Sequence, residues 1–267
     1  MNKVVLITGA SSGIGKAIGE FLHQKGFVVY GTSRNPERIT NSVFPLMALE
    51  VRNPDSIQAA VAKVIAISGR LDILINNAGI GITGPLEEIP LEEIKANFDT
   101  NFFGPISVMQ AVLPQMRKQQ SGLIINISSI AGYMGLPYRS IYSASKGALS
   151  IVTEALRMEV KSFGIQITDV APGDFATNIA AGRFHAPVIK DSAYEKPYAA
   201  TLQMMDEHVD SGSNPTEMAQ AIYNIIQNSN PKVHYRVGLF LQKFSIVLKK
   251  ILPDKVYERI LMKHYKL

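Results

Sequence analysis

Continuous apolar runs alternate with amphipathic stretches along most of the chain. Runs rich in Val, Ile and Leu predict buried strands at 3–8, 27–32, 46–49, 73–76, 123–127, 165–170 and 233–237. Apolar positions at helical spacing predict helices at 14–24, 54–67, 91–118, 142–162 and 215–228. Strands that are apolar on both faces and separated by helices are typical of a parallel sheet covered on both sides. The pattern therefore predicts a single-domain α/β fold with a doubly wound parallel sheet.

The stretch from 174 to 214 departs from this alternation, because it contains no clear strand. We expect it to lie over the carboxyl ends of the late strands, where a substrate lid would form. Several of its apolar residues include positions of one helical face: Phe184, Tyr194, Tyr198, Leu202 and Met205. Such a face would either cover an apolar substrate or belong to the core.

Residues 239–267 form a basic extension after the catalytic domain expected at 1–238. In helical projection one side is an apolar stripe, made of Phe240, Leu241, Phe244, Val247, Leu248 and Ile251. The opposite side carries Gln242, Lys243, Lys249 and Lys250. The stripe would either make peripheral contact with a membrane surface or pack on the protein's own body or a second subunit. The lysine spacing, typical of a solvated helix face, favours packing.

Charge is concentrated in this extension. The 267 residues include 27 Lys and Arg against 22 Asp and Glu, a net charge of +5. Seven basic and two acidic side chains fall within 239–267, so the preceding part is formally neutral. A nucleic-acid-binding domain would be expected to spread basic groups over its folded body. We therefore expect no nucleic-acid partner.

Cysteine is absent, which excludes disulfides and thiolate chemistry, and the five histidines show no metal-ligand spacing. We expect no metal site. The first apolar run is too short for a signal-peptide core, and no uncharged apolar span is long enough to cross a bilayer. A cytoplasmic location is therefore expected.

Candidate chemistry lies between 128 and 146. Tyr142 and Lys146 are four residues apart, so on a helix they project from one face. A nearby cation favours the phenolate and makes a tyrosine a better proton donor near neutrality. Ser129 follows the apolar run 123–127, which places its hydroxyl at the carboxyl end of a strand. The alternative is an amphipathic helix with a surface Tyr and Lys.

A glycine turn follows the first predicted strand. Gly9, Gly13 and Gly15 have GxxxGxG spacing in place of GxGxxG, within the expected strand, turn and helix. Such a turn lets the backbone approach a pyrophosphate at a helix N-terminus.

Together these motifs resemble the catalytic-tetrad branch of the short-chain dehydrogenase/reductase family. The resemblance rests on TGASSGIG at 8–15, NNAG at 76–79, Asn101, the set Ser129, Tyr142 and Lys146, and Pro172-Gly173. It extends from about Lys3 to Thr177 in the family's order and spacing. The basic extension is most similar to hydroxysteroid and retinol dehydrogenase-like members, whose substrates are apolar.

The resemblance implies a Rossmann-type domain in which a nicotinamide cofactor and a carbonyl or alcohol exchange a hydride. Tyr142 would donate the proton to the carbonyl oxygen, Ser129 would hydrogen-bond that oxygen, and Lys146 would hold the ribose and lower the pKa of Tyr142. Asn101 would anchor a water that links Lys146 to solvent; alternatively its amide simply bonds backbone.

The resemblance also implies a set of cofactor-binding residues. They are Gly9, Ser11, Ser12, Gly13, Ile14, Gly15, Ser33, Arg34, Glu50, Val51, Asn77, Ala78, Gly79, Tyr142, Lys146, Pro172, Gly173, Phe175 and Thr177. Among them, Asn77, Ala78 and Gly79 would line the adenosine side and Thr177 would hold the carboxamide. Asn76 is expected to brace strands instead.

Cofactor preference depends on charge after the second strand. Ser33 and Arg34 occupy the region where NAD-specific relatives carry an acid, and a guanidinium binds a ribose phosphate well, so NADP(H) is expected. Two departures from the family weaken the match. Ser12 stands where some NADP-binding members have a basic residue, and Glu50-Val51 replaces the usual Asp-Val near the adenine.

We therefore expect an NADP-dependent oxidoreductase of an apolar ketone or secondary alcohol, such as a steroid-, retinoid- or lipid-like substrate, working as a homodimer or homotetramer. A rival is a reductase of 3-ketoacyl or 3-ketosphingoid intermediates. A rival of another class is a non-catalytic NADP-binding regulator. The intact set of Ser129, Tyr142 and Lys146 is unfavourable to the regulator, since a sensor needs no proton donor.

Overall fold

Strands and helices alternate in the computed structural model, which describes residues 2–175, 182–210 and 212–267. The strands are β1 (Val4–Ile7), β2 (Val28–Ser33), β3 (Leu46–Ala48), β4 (Ile73–Asn76), β5 (Ile82–Thr83), β6 (Gly122–Ile127), β7 (Ile165–Pro172), β8 (Phe184–His185) and β9 (His234–Val237). The α-helices are α1 (Gly13–Gln24), α2 (Pro54–Ser68), α3 (Leu91–Phe98), α4 (Gly104–Gln119), α5 (Ser140–Glu159), α6 (Glu195–Asp210), α7 (Pro215–Gln227), α8 (Phe240–Ile251) and α9 (Asp254–Tyr265).

The main sheet has the order β3-β2-β1-β4-β6-β7-β9, and all of its pairs are parallel. The strand order reverses between β1 and β4, which pair with Ile7 opposite Ile75. Ligands of open α/β sheets bind at such a reversal, beyond the carboxyl ends of the strands. The predicted doubly wound parallel sheet is confirmed, and its reversal places a crevice above β1 and β4.

Each central strand divides its side chains between two apolar layers. Val4 and Leu6 of β1 belong to the layer under α2, α4 and α5, whereas Val5 and Ile7 belong to the layer under α1 and α7. This division follows from the two-residue period of a strand. Because both faces are covered, the strands are apolar throughout, as the sequence runs predicted.

The helix predicted at 91–118 is not continuous. α3 ends at Phe98, a π-helical segment spans Asp99–Phe103, and α4 begins at Gly104. Pro105 lies in the first turn of α4, directly after this segment, and has no backbone N–H to donate to it. The wider π segment contains Asn101, so the interruption falls at a predicted site residue.

The segment 174–214 does contain strand structure, contrary to expectation. β8 pairs in parallel with β5, and Phe175 forms a bridge with Ser213. A two-residue strand leaves no apolar run long enough to detect in the sequence. Within α6, Tyr198 is fully buried, and its hydroxyl donates to the carbonyl oxygens of Thr83 and Ala186 at 3.2 and 3.0 Å. Tyr198 itself therefore belongs to the core, whereas Phe184, Tyr194 and Leu202 are only partly buried.

The basic extension folds as α8 and α9 against the catalytic domain, but α8 does not pack through its apolar stripe. Phe240, Leu241 and Ile251 are 73, 76 and 72% exposed, Phe244 and Val247 are also exposed, and Leu248 alone of the stripe is partly buried. α8 instead packs through Ile246 and the polar Gln242 and Ser245. Packing of the stripe on the protein's own body is therefore wrong, as is the solvent-facing position given to Gln242. Within the described ranges, no helix is both long and apolar enough to span a bilayer.

Candidate active site

Lys146 is buried on α5, one turn after Tyr142. Its Nζ donates a hydrogen bond of 2.9 Å to the carbonyl oxygen of Ile127, the last residue of β6. Burial lowers the pKa of the Lys146 ammonium below its ordinary value, while the charges of Tyr142 and Asp169 act in the opposite direction. The structure thus brings the ammonium to the carboxyl end of β6, within electrostatic reach of the phenol.

Ser129 follows β6 and caps a short 3₁₀ helix at Ile130–Tyr133. Its Oγ accepts a hydrogen bond of 3.1 Å from the backbone N–H of Ala131. This contact fixes the oxygen, and the hydroxyl proton remains able to donate to a ligand.

One cavity is lined by both Ser129 and Tyr142. Apolar side chains of Ile14, Ile82 and Phe175 line it together with Gly81, Pro172, Gly173 and the charged residues Arg139, Asp174 and Arg183. Two hydroxyl-bearing residues that line the same cavity are the groups available there to bind the oxygen of one carbonyl group. This is the arrangement that protonation of a developing alkoxide requires.

The glycine turn leaves no room for larger residues. A Cβ at Gly15 would lie 2.4 Å from Nδ2 of Asn77 and 2.5 Å from the carbonyl oxygen of Gly9, whose φ of +65° also favours glycine. No side chain caps the N-terminus of α1 at Ser12. A turn of this shape before an uncapped helix suits a dinucleotide pyrophosphate, so these residues fit the cofactor implied by the sequence.

The NNAG segment braces this turn from β4. Nδ2 of Asn77 donates to the carbonyl oxygens of Thr8 and Gly9 at 3.0 and 3.1 Å, and the backbone N–H of Ala78 donates to Oγ1 of Thr8 at 3.0 Å. The amide of Asn76 donates to Oδ1 of Asn126 at 2.9 Å, which ties β4 to β6 as expected. The side chain of Asn77 therefore shapes the turn, and Thr8 is a supporting residue that the sequence reasoning did not single out.

Asn101 holds the backbone that follows NNAG. Its Oδ1 accepts from the N–H of Ile80 at 2.9 Å, and its Nδ2 donates to the carbonyl oxygen of Ile80 at 2.8 Å. A Cβ at Gly79 would lie 3.1 Å from Oδ1 of Asn101 and 3.3 Å from Nζ of Lys146. The side chain thus bonds backbone, and it does so directly beside Lys146.

The residues expected near the adenosine ribose lie at the ends of β2 and β3. Ser33 ends β2, and Val51 is buried in the core. Glu50 is bound in a bidentate ion pair by Arg52, with Nη2 to Oε2 at 3.2 Å. Burial would raise the pKa of Glu50, but the hydrogen bonds and charge of Arg52, with the charge of Arg34, lower it overall. Arg34 and Glu50 therefore lie near each other.

Pro172 ends β7, and Gly173 continues to β9 through a hydrogen bond of 2.8 Å from its N–H to the carbonyl oxygen of Val237. Phe175 is buried at the cavity. Thr177 lies outside the described residues.

The basic extension contributes two contacts to the cavity that the sequence reasoning missed. Nε2 of Gln242 donates to Oδ2 of Asp174 at 2.7 Å. Burial raises the pKa of the Tyr265 phenol in α9; the charge of Arg139 lowers it, the carboxylate of Asp174 raises it, and a hydrogen bond with Arg139 lowers it. Arg139 in turn lies 5.4 Å from the centre of the Tyr142 ring. The helical pattern of the extension gave no signal for either contact.

Comparisons with known proteins agree with this geometry. The family model described as short chain dehydrogenase matches residues 3–187. A curated relative, 3-ketodihydrosphingosine reductase from Bacteroides thetaiotaomicron, is 40% identical over 264 residues, which cover 98% of each chain.

Solved structures show the same fold. A short-chain dehydrogenase from Streptomyces avermitilis is 32% identical with a TM-score of 0.84, covering 99% of this chain and 97% of that one. ElxO with NADP bound is 29% identical with a TM-score of 0.72, covering 88 and 96%. A relative from Burkholderia phymatum in complex with NAD is 25% identical with a TM-score of 0.75, covering 87 and 88%.

The family model and these relatives, together with the glycine turn and the cavity lined by Ser129 and Tyr142, show that the chain belongs to the short-chain dehydrogenase/reductase family of oxidoreductases, which act on CH–OH and ketone groups.

Proposed function

We propose that the protein is an NADPH-dependent reductase of a long-chain 3-ketosphingoid base. The observation that carries this proposal is the 40% identity, over 98% of both chains, with a 3-ketodihydrosphingosine reductase. The substrate named for this relative favours a 3-ketosphingoid base over the steroids and retinoids that were also expected from the sequence. The partly apolar cavity beside Tyr142 is consistent with a lipid ketone.

The catalytic residues divide the chemistry at the carbonyl oxygen. The nicotinamide supplies a hydride to the carbonyl carbon when it is bound. Tyr142 donates the proton to the oxygen, and Ser129, fixed by the N–H of Ala131, donates a second hydrogen bond to it. Lys146 favours the phenolate by its charge and, held by Ile127, is placed to bind the ribose hydroxyls.

Residues of the glycine turn hold the cofactor in this proposal. Backbone groups from Gly9 to Gly15 bind the pyrophosphate at the start of α1, and Asn77, Ala78 and Gly79 line the adenosine side. Pro172, Gly173 and Phe175 enclose the nicotinamide end. Asn101 positions Ile80, and through it the turn beside Lys146, rather than meeting the substrate.

NADPH is the preferred cofactor in this proposal. Ser33 and Arg34 follow β2, where a ribose phosphate would lie, and a guanidinium binds phosphate in a bidentate manner. Arg52 pairs with Glu50, so the Glu50 carboxylate would repel a ribose phosphate less than an unpaired carboxylate would. A reductive reaction with NADPH places the enzyme in the cytoplasm, where it would meet its reductant.

Segment 174–214 acts as the substrate cover. Tyr194, Tyr198 and Leu202 of this segment belong to the apolar cluster that also contains Tyr142. Because Tyr198 is fully buried and bonded to Thr83 and Ala186, this part of the cover is fixed on the body.

Two exposed apolar surfaces support the expected partners. On α5, Ile151 and Met158 are 68 and 73% exposed, and this surface would be covered in a homodimer or homotetramer. The apolar stripe of α8 is flanked by Lys243 and Lys250 and suits peripheral contact with an anionic membrane, from which a lipid substrate would be taken.

An NADPH oxidation assay tests the function. Purified protein should reduce 3-ketodihydrosphingosine with NADPH, and its kcat/KM should exceed those for a 3-oxosteroid, retinal and a short 3-ketoacyl thioester. A higher kcat/KM for any of these three would assign the enzyme to that class instead. NADPH binding with no turnover of any ketone would favour the regulator.

A further inference from the structure

Asp174 is the one acidic side chain among the described residues that line the catalytic cavity. It follows Pro172 and Gly173 directly, so it lies on the same wall as the segment at the carboxyl end of β7. The assigned roles of Tyr142, Ser129 and Lys146 do not use it. A carboxylate beside a reacting ketone favours a substrate with a positive charge close to the carbonyl group.

The carboxylate is held in place from the basic extension. Gln242 of α8 contacts Asp174 twice: its Oε1 accepts from the backbone N–H at 3.2 Å, and its Nε2 donates to Oδ2 at 2.7 Å. Gln242 approaches so closely that a Cβ on Gly173 would lie 2.0 Å from its Oε1. Among the described residues, Oδ1 accepts no further hydrogen bond, so one carboxylate oxygen is left for a ligand.

Two guanidinium groups, those of Arg139 and Arg183, share the cavity wall with Asp174. Arg139 lies over the ring of Tyr142 and interacts with the phenol of Tyr265. Arg183 lies against Gly81, where a Cβ would be 2.7 Å from its Cγ. Both arginines therefore belong to the wall, and Asp174 is the one carboxylate among the described residues that line it.

A 3-ketosphingoid base carries a primary ammonium on the carbon next to the ketone. When Ser129 and Tyr142 bind the ketone oxygen, the ammonium must lie within a few bond lengths of them, inside the same cavity. Asp174 is the group in that cavity with the charge and hydrogen-bonding capacity to accept it.

We propose that Asp174, positioned by Gln242, binds the ammonium of a 2-amino-3-ketone and so selects sphingoid bases over 3-ketolipids without an amine. This inference rests on the proposed function, because it names the chemical group by which that substrate is recognised. It assigns the basic extension a part in specificity, through Gln242.

The test compares two ketones of equal chain length, 3-ketodihydrosphingosine and 1-hydroxyoctadecan-3-one, which lacks the amine. For the wild type, kcat/KM should be higher for 3-ketodihydrosphingosine, called the amine below, than for the amine-free ketone. Asp174→Asn should lower kcat/KM for the amine by about 10- to 100-fold, the range for a lost charge-assisted hydrogen bond, and change the amine-free ketone by less than about 3-fold.

Two further variants separate recognition from structure. Asp55→Asn removes an exposed carboxylate that is not part of the cavity lining and should leave both ketones unchanged. Gln242→Leu keeps the charge of Asp174 but removes its support, and should lower the preference for the amine by a smaller factor. NADPH affinity, measured by fluorescence titration, should stay within about 2-fold of wild type in all three variants, since none removes a cofactor contact.

The outcomes are distinguishable. If Asp174→Asn lowers kcat/KM equally for both ketones, or if the wild type does not distinguish them, Asp174 does not recognise the amine and the inference is overturned while the reductase function stands. If the wild type reduces neither ketone, the proposed function fails and the inference falls with it.

Discussion

Nζ of Lys146 lies 2.9 Å from the carbonyl oxygen of Ile127, so the buried ammonium is tied to the end of β6. The same strand leads directly to Ser129. The carboxyl end of β6 therefore positions two groups: the Lys146 ammonium, whose charge acts on Tyr142, and the Ser129 hydroxyl, which in the proposed reaction binds the same carbonyl oxygen as Tyr142.

Lys146→Met tests this connection. Methionine fills the space but leaves the Ile127 carbonyl without its donor and the phenol without a cation. We expect kcat to fall by at least about 100-fold and the Kd for NADPH to rise by about 10-fold, consistent with roles at the phenol and the ribose. Steady-state kinetics and fluorescence titration measure the two effects. An unchanged Kd for NADPH would show that Lys146 does not bind the ribose.

Tyr142→Phe should separate chemistry from binding. The variant loses the proton donor but keeps the ring under Arg139. We expect turnover to fall by at least about 100-fold, with the Kd for NADPH within about 2-fold of wild type. Tyr223→Phe, on α7 and outside the cavity lining, is the matched control and should keep full activity. Substantial turnover by Tyr142→Phe would show that another group donates the proton.

Arg34→Asp should shift the cofactor preference toward NADH. A carboxylate repels the ribose phosphate of NADPH and accepts hydrogen bonds from the ribose hydroxyls of NADH. We expect the ratio of kcat/KM for NADPH to that for NADH to fall by about 10- to 100-fold. Arg38→Asp, four residues later, is the control for a charge change in the same loop. An unchanged ratio in Arg34→Asp would leave Arg34 as a loop charge only.

His234 should make stability depend on pH. Its Nδ1 lies 3.4 Å from Oδ2 of the buried Asp169, and its Nε2 lies 2.9 Å from Oε1 of Glu154. The hydrogen bond with Asp169 raises the pKa of His234 above its ordinary value of 6.5; burial opposes this, and the charge of Asp169 and the contact with Glu154 add to it. Tyr133 and Arg236 pack at the same place.

A histidine whose pKa is raised in the folded state stabilises the protein fully below pH 6.5, and this contribution is lost as the pH rises through the folded-state pKa. We therefore expect the Tm of the wild type minus that of His234→Gln to be about 1–3 °C larger at pH 5.5 than at pH 8.5. Thermal scans of both proteins at each pH give this difference, and the subtraction removes the pH effects that the two proteins share. A difference that grows with pH would contradict the protonated pair.

The apolar stripe should bind anionic lipid surfaces. Phe240→Ser/Leu241→Ser removes two of its most exposed side chains, and should lower sedimentation with anionic liposomes at low salt without changing the oligomer. Met158→Ser, equally exposed on α5, should change the oligomer in size-exclusion chromatography and leave liposome binding intact. If Phe240→Ser/Leu241→Ser instead changes the oligomer and Met158→Ser lowers liposome binding, the α8 stripe is a subunit interface.

The parallel sheet and the positions of Tyr142, Lys146 and Ser129 followed from sequence, because long apolar runs and fixed spacings report on local structure. Contacts between distant segments did not follow. The face through which α8 packs depends on the surface of the domain that it contacts, which the sequence of α8 does not report. The hydrophobic pattern therefore indicated the apolar stripe, whereas Gln242 and Ile246 make the contacts. β8 is too short to leave a pattern, and the two hydrogen bonds between Asn101 and Ile80 join positions that are far apart in the sequence.

Gly173 and Gln242 also constrain each other's replacement. Since the Gln242 amide occupies the space that a Cβ at 173 would need, with 2.0 Å between them, alanine at 173 would push the end of this flexible side chain aside. Shortening residue 242 first would free that space, although it would also release Asp174. The two positions are therefore coupled: a side chain at 173 would displace the amide that holds the Asp174 carboxylate, so a change made at one wall of the cavity would also alter the other.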